Sequence, residues 1–230
     1  MFNKAMDVPV AETSLPAEPP VAVRRPVRQT VPIVFASPHS GSAYTPDFLL
    51  SSRLDPLSLR RSEDSFVDDL FAEAPSFGAP LLTAGFPRAF CDANREAWEL
   101  DPAMFEEPLP PWVNTTSSRV GAGLGTLARV VATGETIYRG KLPFAEAERR
   151  VRACWQPYHE TLAALIGGTT AMFGTCLLID CHSMPAQGSP AGGPARTDAR
   201  TLRGGTDFVL GDAHGTACAP RITRFVEQTL

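Results

Sequence analysis

The stretch "LLIDCHSMP" at 177–185 is a short apolar run that stops on an acid, a cysteine and a histidine, then turns at Pro185. An earlier stretch, "VPIVFASPHSG" at 31–41, behaves the same way: it ends on His39 and continues into the small residues Ser40 and Gly41. Two of the four histidines in the chain therefore sit just past buried-looking strands. Ligands of open α/β sheets bind in the crevice beyond the carboxyl ends of the strands. If the two strands run parallel, His39 and His182 arrive at the same edge.

Working outward, the segments between and around these runs alternate in type. "PIVFAS" is a strand by its β-branched and aromatic content. "DSFVDDLFAEA" places Phe66, Val67, Leu70 and Phe71 at helical spacing, with acids at its start and Pro75 to stop it. "APLLTAGF" reads as a strand and "RAFCDAN" as a short extended piece. Residues 98–133 are rich in Pro, Gly, Ser and Thr and so predict a long loop, a length that points to function. "PFAEAERRVRACWQPYHETLAALIGG" is the strongest helical signal, opened by Pro143 and closed by the pair Gly167–Gly168. "GTCLLID" and "DFVLGD" read as two further strands. Apolar strands alternating with helices imply an α/β fold with a mostly parallel sheet covered on both faces. Residues 1–30 carry no sustained period and predict a loosely ordered arm, leaving 31–230 as a single domain.

Composition narrows the function classes. The chain has 230 residues, 43% hydrophobic and 20% charged, which suits one large globular α/β domain. A net charge of −4 argues against bulk attraction to nucleic acid. No apolar stretch approaches the ~20 residues needed to span a bilayer. Five cysteines at irregular spacing do not form a disulfide framework, and no secretory signal opens the chain, so the cytoplasm is the expected compartment.

The strand-end residues suggest chemistry. Imidazoles plus a carboxylate are a common donor set for Zn²⁺, three protein ligands leaving a position for water. His39 and His182 supply the imidazoles and Asp64 is the candidate carboxylate, although the helix dipole alone would also favour an acid there. Asp68 lies four residues on and shares a helical face with Asp64. Asp180 is placed to hold an imidazole N–H, as partners of metal-bound histidines do. In "RAFCDANR", Arg88 and Arg95 bracket Asp92 and Asn94; such guanidinium groups grip carboxylates, although a surface Arg–Asp pair explains the same spacing. Cys181, alternating with its neighbours, points to the core rather than to the site. The run "GAGLGT" at 121–126 follows no strand and opens no helix, so it is not a dinucleotide fingerprint.

These motifs in this order ("SPHSG", "EDSFVDDLF", "FCDANR", "GETIYRGKLPFAEAERRV", "PYHETL", "LLIDCHSMP", "DFVLGDAHGT") resemble the N-formylglutamate amidohydrolases from about residue 31 to 220. The resemblance implies a three-layer α/β/α domain around a mixed, mainly parallel sheet, similar to zinc carboxypeptidases and aspartoacylases. It implies hydrolysis of N-formyl-L-glutamate to formate and L-glutamate, late in histidine degradation, with one Zn²⁺ per chain. It further implies His39, Asp64 and His182 as metal ligands and the Asn94–Arg95 pair as a grip on a substrate carboxylate; Ser40 and Arg88 are further candidates for binding the substrate. His159 matches a family motif but reads as a packed helical residue. Family members continue past "DFVLGD" with a C-terminal segment that this chain, ending at Leu230, is expected to lack, and Asp68 and Asp180 become the candidate catalytic carboxylates. The alternatives are a related N-acyl amino-acid amidohydrolase, a carboxypeptidase-like enzyme, or a non-catalytic domain that binds small dicarboxylates.

Overall fold

The computed structural model describes residues 14–15, 19–184 and 208–230. The chain divides into two compact units, Met1–Ser183 and Met184–Leu230. Within the first, four strands form one sheet in the order β1-β3-β2-β4. They are β1 (Val21–Arg24), β2 (Ile33–Ser37), β3 (Leu81–Ala84) and β4 (Leu177–Asp180). β2 runs parallel to both β3 and β4, while β1 pairs antiparallel with β3. The sheet is therefore mixed and mainly parallel, in an α/β fold, as expected. All four residues of β3 are buried, so both faces of the sheet are covered at its centre.

Short helices follow β2: α1 (Pro46–Ser51), α2 (Pro56–Leu59) and α3 (Val67–Leu70). Thr45 and Asp55 cap the first two, each side chain accepting a backbone N–H of the first turn. After β3 comes the long irregular stretch, interrupted by α4 (Ser118–Gly121), and then the main helix. That helix begins as α5 (Phe144–Arg150), passes through a π-helical turn at Val151–Trp155, and continues as α6 (Gln156–Phe173). Phe48, Leu82, Phe86, Phe90, Leu127 and Leu142 are among the side chains of the common core. Arg150 is buried inside that core, its charge met by Glu146 at 2.7 Å and its plane lying over the Phe90 ring at 4.1 Å.

Five local expectations change. The arm over 1–30 contributes an edge strand, β1, because β3 supplies a pairing partner some sixty residues away. "RAFCDAN" is a pair of turns rather than an extended piece, the N–H groups of Phe90 and Cys91 both returning to the Pro87 carbonyl. The main helix runs through Gly167 and Gly168 and stops at Gly174, whose φ of 76° supplies the left-handed cap. α3 begins only at Val67, because Phe66 adopts a left-handed conformation with φ 66°. In "DFVLGD", Asp207 lies outside the described residues, and Phe208–Asp212 pair with no strand among those described. Asp212 instead closes a turn, accepting the Gly215 N–H at 2.9 Å. The second unit's other described element is a helix, α7 (Pro220–Thr229). Among the described residues no helix is long and apolar enough to cross a membrane.

Candidate metal centre

Three parallel strands deliver the site. β2 ends at Ser37, two residues before His39, and β4 ends at Asp180, two before His182. Ala36 and Asp180 are in register, so the two histidines leave the sheet side by side, ring centroids 4.9 Å apart. β3, on the other side of β2, leads into the loop that carries Arg88, Asp92, Asn94 and Arg95. The sequence of this turn explains itself: a Cβ on Gly41 would stand 2.2 Å from the Phe86 carbonyl oxygen, so only glycine lets the loop after His39 lie against the loop after β3.

Asp64 joins from the loop before α3. Its N–H donates to the His39 carbonyl at 3.1 Å, which pins the backbone. One carboxylate oxygen, Oδ2, then lies 2.8 Å from His182 Nδ1 and 3.4 Å from His39 Nδ1. The ligand atoms of His39, Asp64 and His182 all lie within 4.8 Å of one another. Both imidazoles are held in the same way from outside. His39 Nε2 donates to Asp92 Oδ1 at 2.7 Å, and His182 Nε2 lies 2.9 Å from Asp180 Oδ2. Carboxylates on the outer nitrogens fix the ring orientation and turn the inner nitrogens to the centre.

The donor set fits a metal ion. His39 Nδ1 is buried and has no hydrogen-bond partner, so a lone pair points into the gap beside Asp64 Oδ2. Such an orphan is costly unless something binds it. The acids are held ready: burial opposes ionisation of Asp64, but the hydrogen bond from His182 and the nearby imidazole of His39 hold its carboxyl well below the ordinary range. Asp92 behaves alike, burial opposing and the His39 bond with Arg88 and Arg95 prevailing to keep it at about 2. The His182 imidazole is raised to about 9 by its bonds to Asp180 and Asp64.

A model of the N-formylglutamate amidohydrolase family matches residues 31–230. The chain belongs to this family. It is 28% identical over 202 residues to the N-formylglutamate deformylase of Pseudomonas aeruginosa, a match covering 87% of this chain and 66% of that enzyme. It also superimposes on the crystal structure of the N-formylglutamate amidohydrolase from Ralstonia eutropha JMP134 with a TM-score of 0.75 and 32% identity. That match covers 92% of this chain and 72% of the other. The chain thus spans about two thirds of the length of the curated deformylase.

For a member of the amidohydrolase family, the expected residues gather unevenly. His39, Asp64 and His182 converge, and Asp180 sits on His182. The Asn94 amide donates to Asp180 Oδ2 at 3.3 Å and lies 3.2 Å from His182 Nε2. Arg88 donates through Nε to Asp92 Oδ2 at 3.0 Å, and its terminal nitrogens make no hydrogen bond among the described residues. Arg95 is more committed, giving Nε to the Leu124 carbonyl at 2.9 Å and Nη1 to the Asn94 carbonyl at 2.6 Å. The Ser40 hydroxyl is engaged with Ser37 and with the Asp68 N–H, so it ties the loop to α3. Asp64 and Asp68 do not share a helical face, because the backbone reverses at Phe66 before α3 begins. Cys181 is buried, and burial lifts its thiol to about 12, so it is no nucleophile. Asp92 was legible only as an arginine partner; its hold on His39 crosses 53 residues of sequence.

Proposed function

We propose that this chain hydrolyses N-formyl-L-glutamate to formate and L-glutamate at a zinc centre formed by His39, Asp64 and His182. The observation that carries the reading is Asp64 Oδ2 set between two inward Nδ1 atoms, each imidazole anchored outside by its own carboxylate. Zn²⁺ held there supplies Lewis-acid chemistry, making water acidic near neutral pH and drawing charge from a carbonyl. Asp92 and Asp180 keep the two rings aimed inward through their Nε2 atoms.

The substrate's acid groups require cations in a dry recess. A cavity of about 100 Å³ is lined by Arg88, Asp92, Leu124, Ala128 and Val130 among others. Asp92 fixes Arg88 by Nε, so its terminal nitrogens form a preorganised fork for a substrate carboxylate, and the alkyl walls take the methylenes. Arg95 and Asn94 present further N–H donors along the same loop. Orientation by such groups turns a two-body reaction into an effectively one-body step. Asp68 has no hydrogen-bonded partner on its carboxylate among the described residues, which leaves it available to carry a proton to the leaving amine. The family likeness supports the formyl amide as the scissile bond.

The test offers the purified chain excess zinc, removes the unbound ion, and measures metal content and formate release. About one Zn²⁺ per chain is expected, with N-formylglutamate cleaved faster than N-acetylglutamate or N-formylleucine. A chain that takes up no zinc, or takes it up and releases no formate, would overturn the proposal.

A further inference from the structure

The segment from Phe90 to Arg95 carries Asp92 and Asn94 yet belongs to no helix or strand. Irregular backbone in a buried place must find partners for its carbonyls elsewhere. One helix face supplies partners for three of the six. Arg150 Nη1 donates to the Phe90 carbonyl at 3.1 Å, His159 Nε2 lies 2.8 Å from the Ala93 carbonyl, and Trp155 Nε1 donates to the Arg95 carbonyl at 2.8 Å. The Trp155 and His159 rings lie against each other, centroids 3.9 Å apart, so neither can swing away alone. Within the segment, Arg95 Nη1 takes the Asn94 carbonyl and the Asn94 N–H donates to Asp92 at 2.9 Å.

The π-helical turn is what makes the spacing work. A regular α-helix turns about 100° per residue, so positions five apart point about 140° from each other. Arg150 and Trp155 are five apart. Between them the N–H of Gln156 reaches back to the Val151 carbonyl, a bond over five residues, which absorbs the extra residue in one turn. Trp155 and His159, four apart, then continue the same face. Three polar side chains thereby line up along a segment that a regular helix would meet with only some of them.

We propose that Trp155 and His159 are positioning residues for the hydrolytic site. Together with the π-turn that aligns them, they fix the Ala93 and Arg95 carbonyls and so aim the Asn94 amide at Asp180 and His182. The catalytic consequence rests on the hydrolase reading above, but the clamp itself does not.

Two measurements on the full chain separate the cases. In Trp155→Phe, His159→Leu and the double variant, hydrogen–deuterium exchange of the backbone amides at 91–96 should accelerate at least about tenfold against wild type, while exchange in β2 and β3 stays unchanged. In the zinc-loaded proteins, kcat/KM for N-formylglutamate should fall by about 10–100-fold with zinc content retained, since small displacements of an aligned group are costly in rate. His159→Gln keeps an N–H donor for the Ala93 carbonyl and should recover most of the protection and the rate. Unchanged exchange at 91–96, acceleration spread evenly over the chain, or a glutamine variant as impaired as leucine would each overturn the proposal. If wild type releases no formate, the hydrolase reading fails and the exchange data still decide the clamp. If wild type is active and the variants match it, the clamp alone is wrong.

Discussion

The two histidines of the centre sit in unlike surroundings. His39 follows an interior strand and is 1% exposed, braced by an Asp92 side chain that is 3% exposed. His182 follows β4, the last strand of the sheet among the described residues, with its side chain 32% exposed and its brace, Asp180, 42% exposed. The same imidazole–carboxylate arrangement is thus made once in a dry interior, with two arginines behind it, and once at the solvent boundary. The first is part of the folded core. The second lies at the boundary of that core.

If that contrast holds, the braces should fail differently. Asp92→Ala should have the largest effect. It strips the acceptor from His39 Nε2 and leaves Arg88 and Arg95 without their shared counter-ion. Breaking a buried charged set by removing one partner costs on the order of 3–5 kcal/mol. Urea titration of the metal-free protein measures it, and a loss under about 1 kcal/mol would show that the inner half is no more essential to folding than the outer.

Gly41→Ala probes the same inner half through its backbone. The new Cβ would overlap the Phe86 carbonyl, and neither loop can retreat without moving His39 or Phe86, which is fully buried. Overpacking of this kind costs about 1–3 kcal/mol. Wild-type stability in this variant would mean that the loops after β2 and β3 yield freely.

Asp180→Ala should separate stability from metal affinity. The pair it makes with His182 is partly exposed to solvent, which screens it, so its loss should cost less than the inner brace, about 1 kcal/mol. Zinc affinity should nonetheless fall by about 10–100-fold, the usual cost of losing an outer partner of a ligand imidazole. Competition with a chelating indicator gives the number. Equal affinity in variant and wild type would reduce Asp180 to a surface acid.

The inner and outer halves were also unequally legible. Both histidines could be found from sequence because the rule that locates them is local: an apolar run, an abrupt polar end, and a topology that aligns such ends. Asp92 was visible beside its arginines, but its buried partner His39 lies in the loop after a different strand, and no short-range pattern reveals that distance. β1 was missed for the same reason, since four residues of weak strand character become a strand only against β3. The Asp64–Asp68 face failed on a single backbone torsion. Phenylalanine disfavours the left-handed region so strongly that nothing in "EDSFVDD" announces a reversal there. The π-turn in the main helix had one signal, Pro157, two residues past it, which has no N–H to return along the helix.

That torsion supports the smallest and most diagnostic prediction. Phe66 holds φ 66° although its side chain is 67% exposed. A non-glycine residue in this region costs roughly 1–2 kcal/mol, while glycine there gives back about 0.5–1 kcal/mol through the entropy of the unfolded chain. Little packing is lost by truncating so exposed a ring. Phe66→Gly should therefore leave stability unchanged or raise it by up to about 1 kcal/mol, whereas Phe66→Ala, which keeps the strained backbone and loses what contact the ring has, should be slightly less stable than wild type. The difference between the two variants isolates the strain that the loop carries in order to bring Asp64 against His39 and His182. A glycine variant less stable than the alanine one would mean that the bend at Phe66 is set by its side chain. The inner half of the centre would then owe its geometry to a surface contact rather than to the backbone tied between His39 and Asp64.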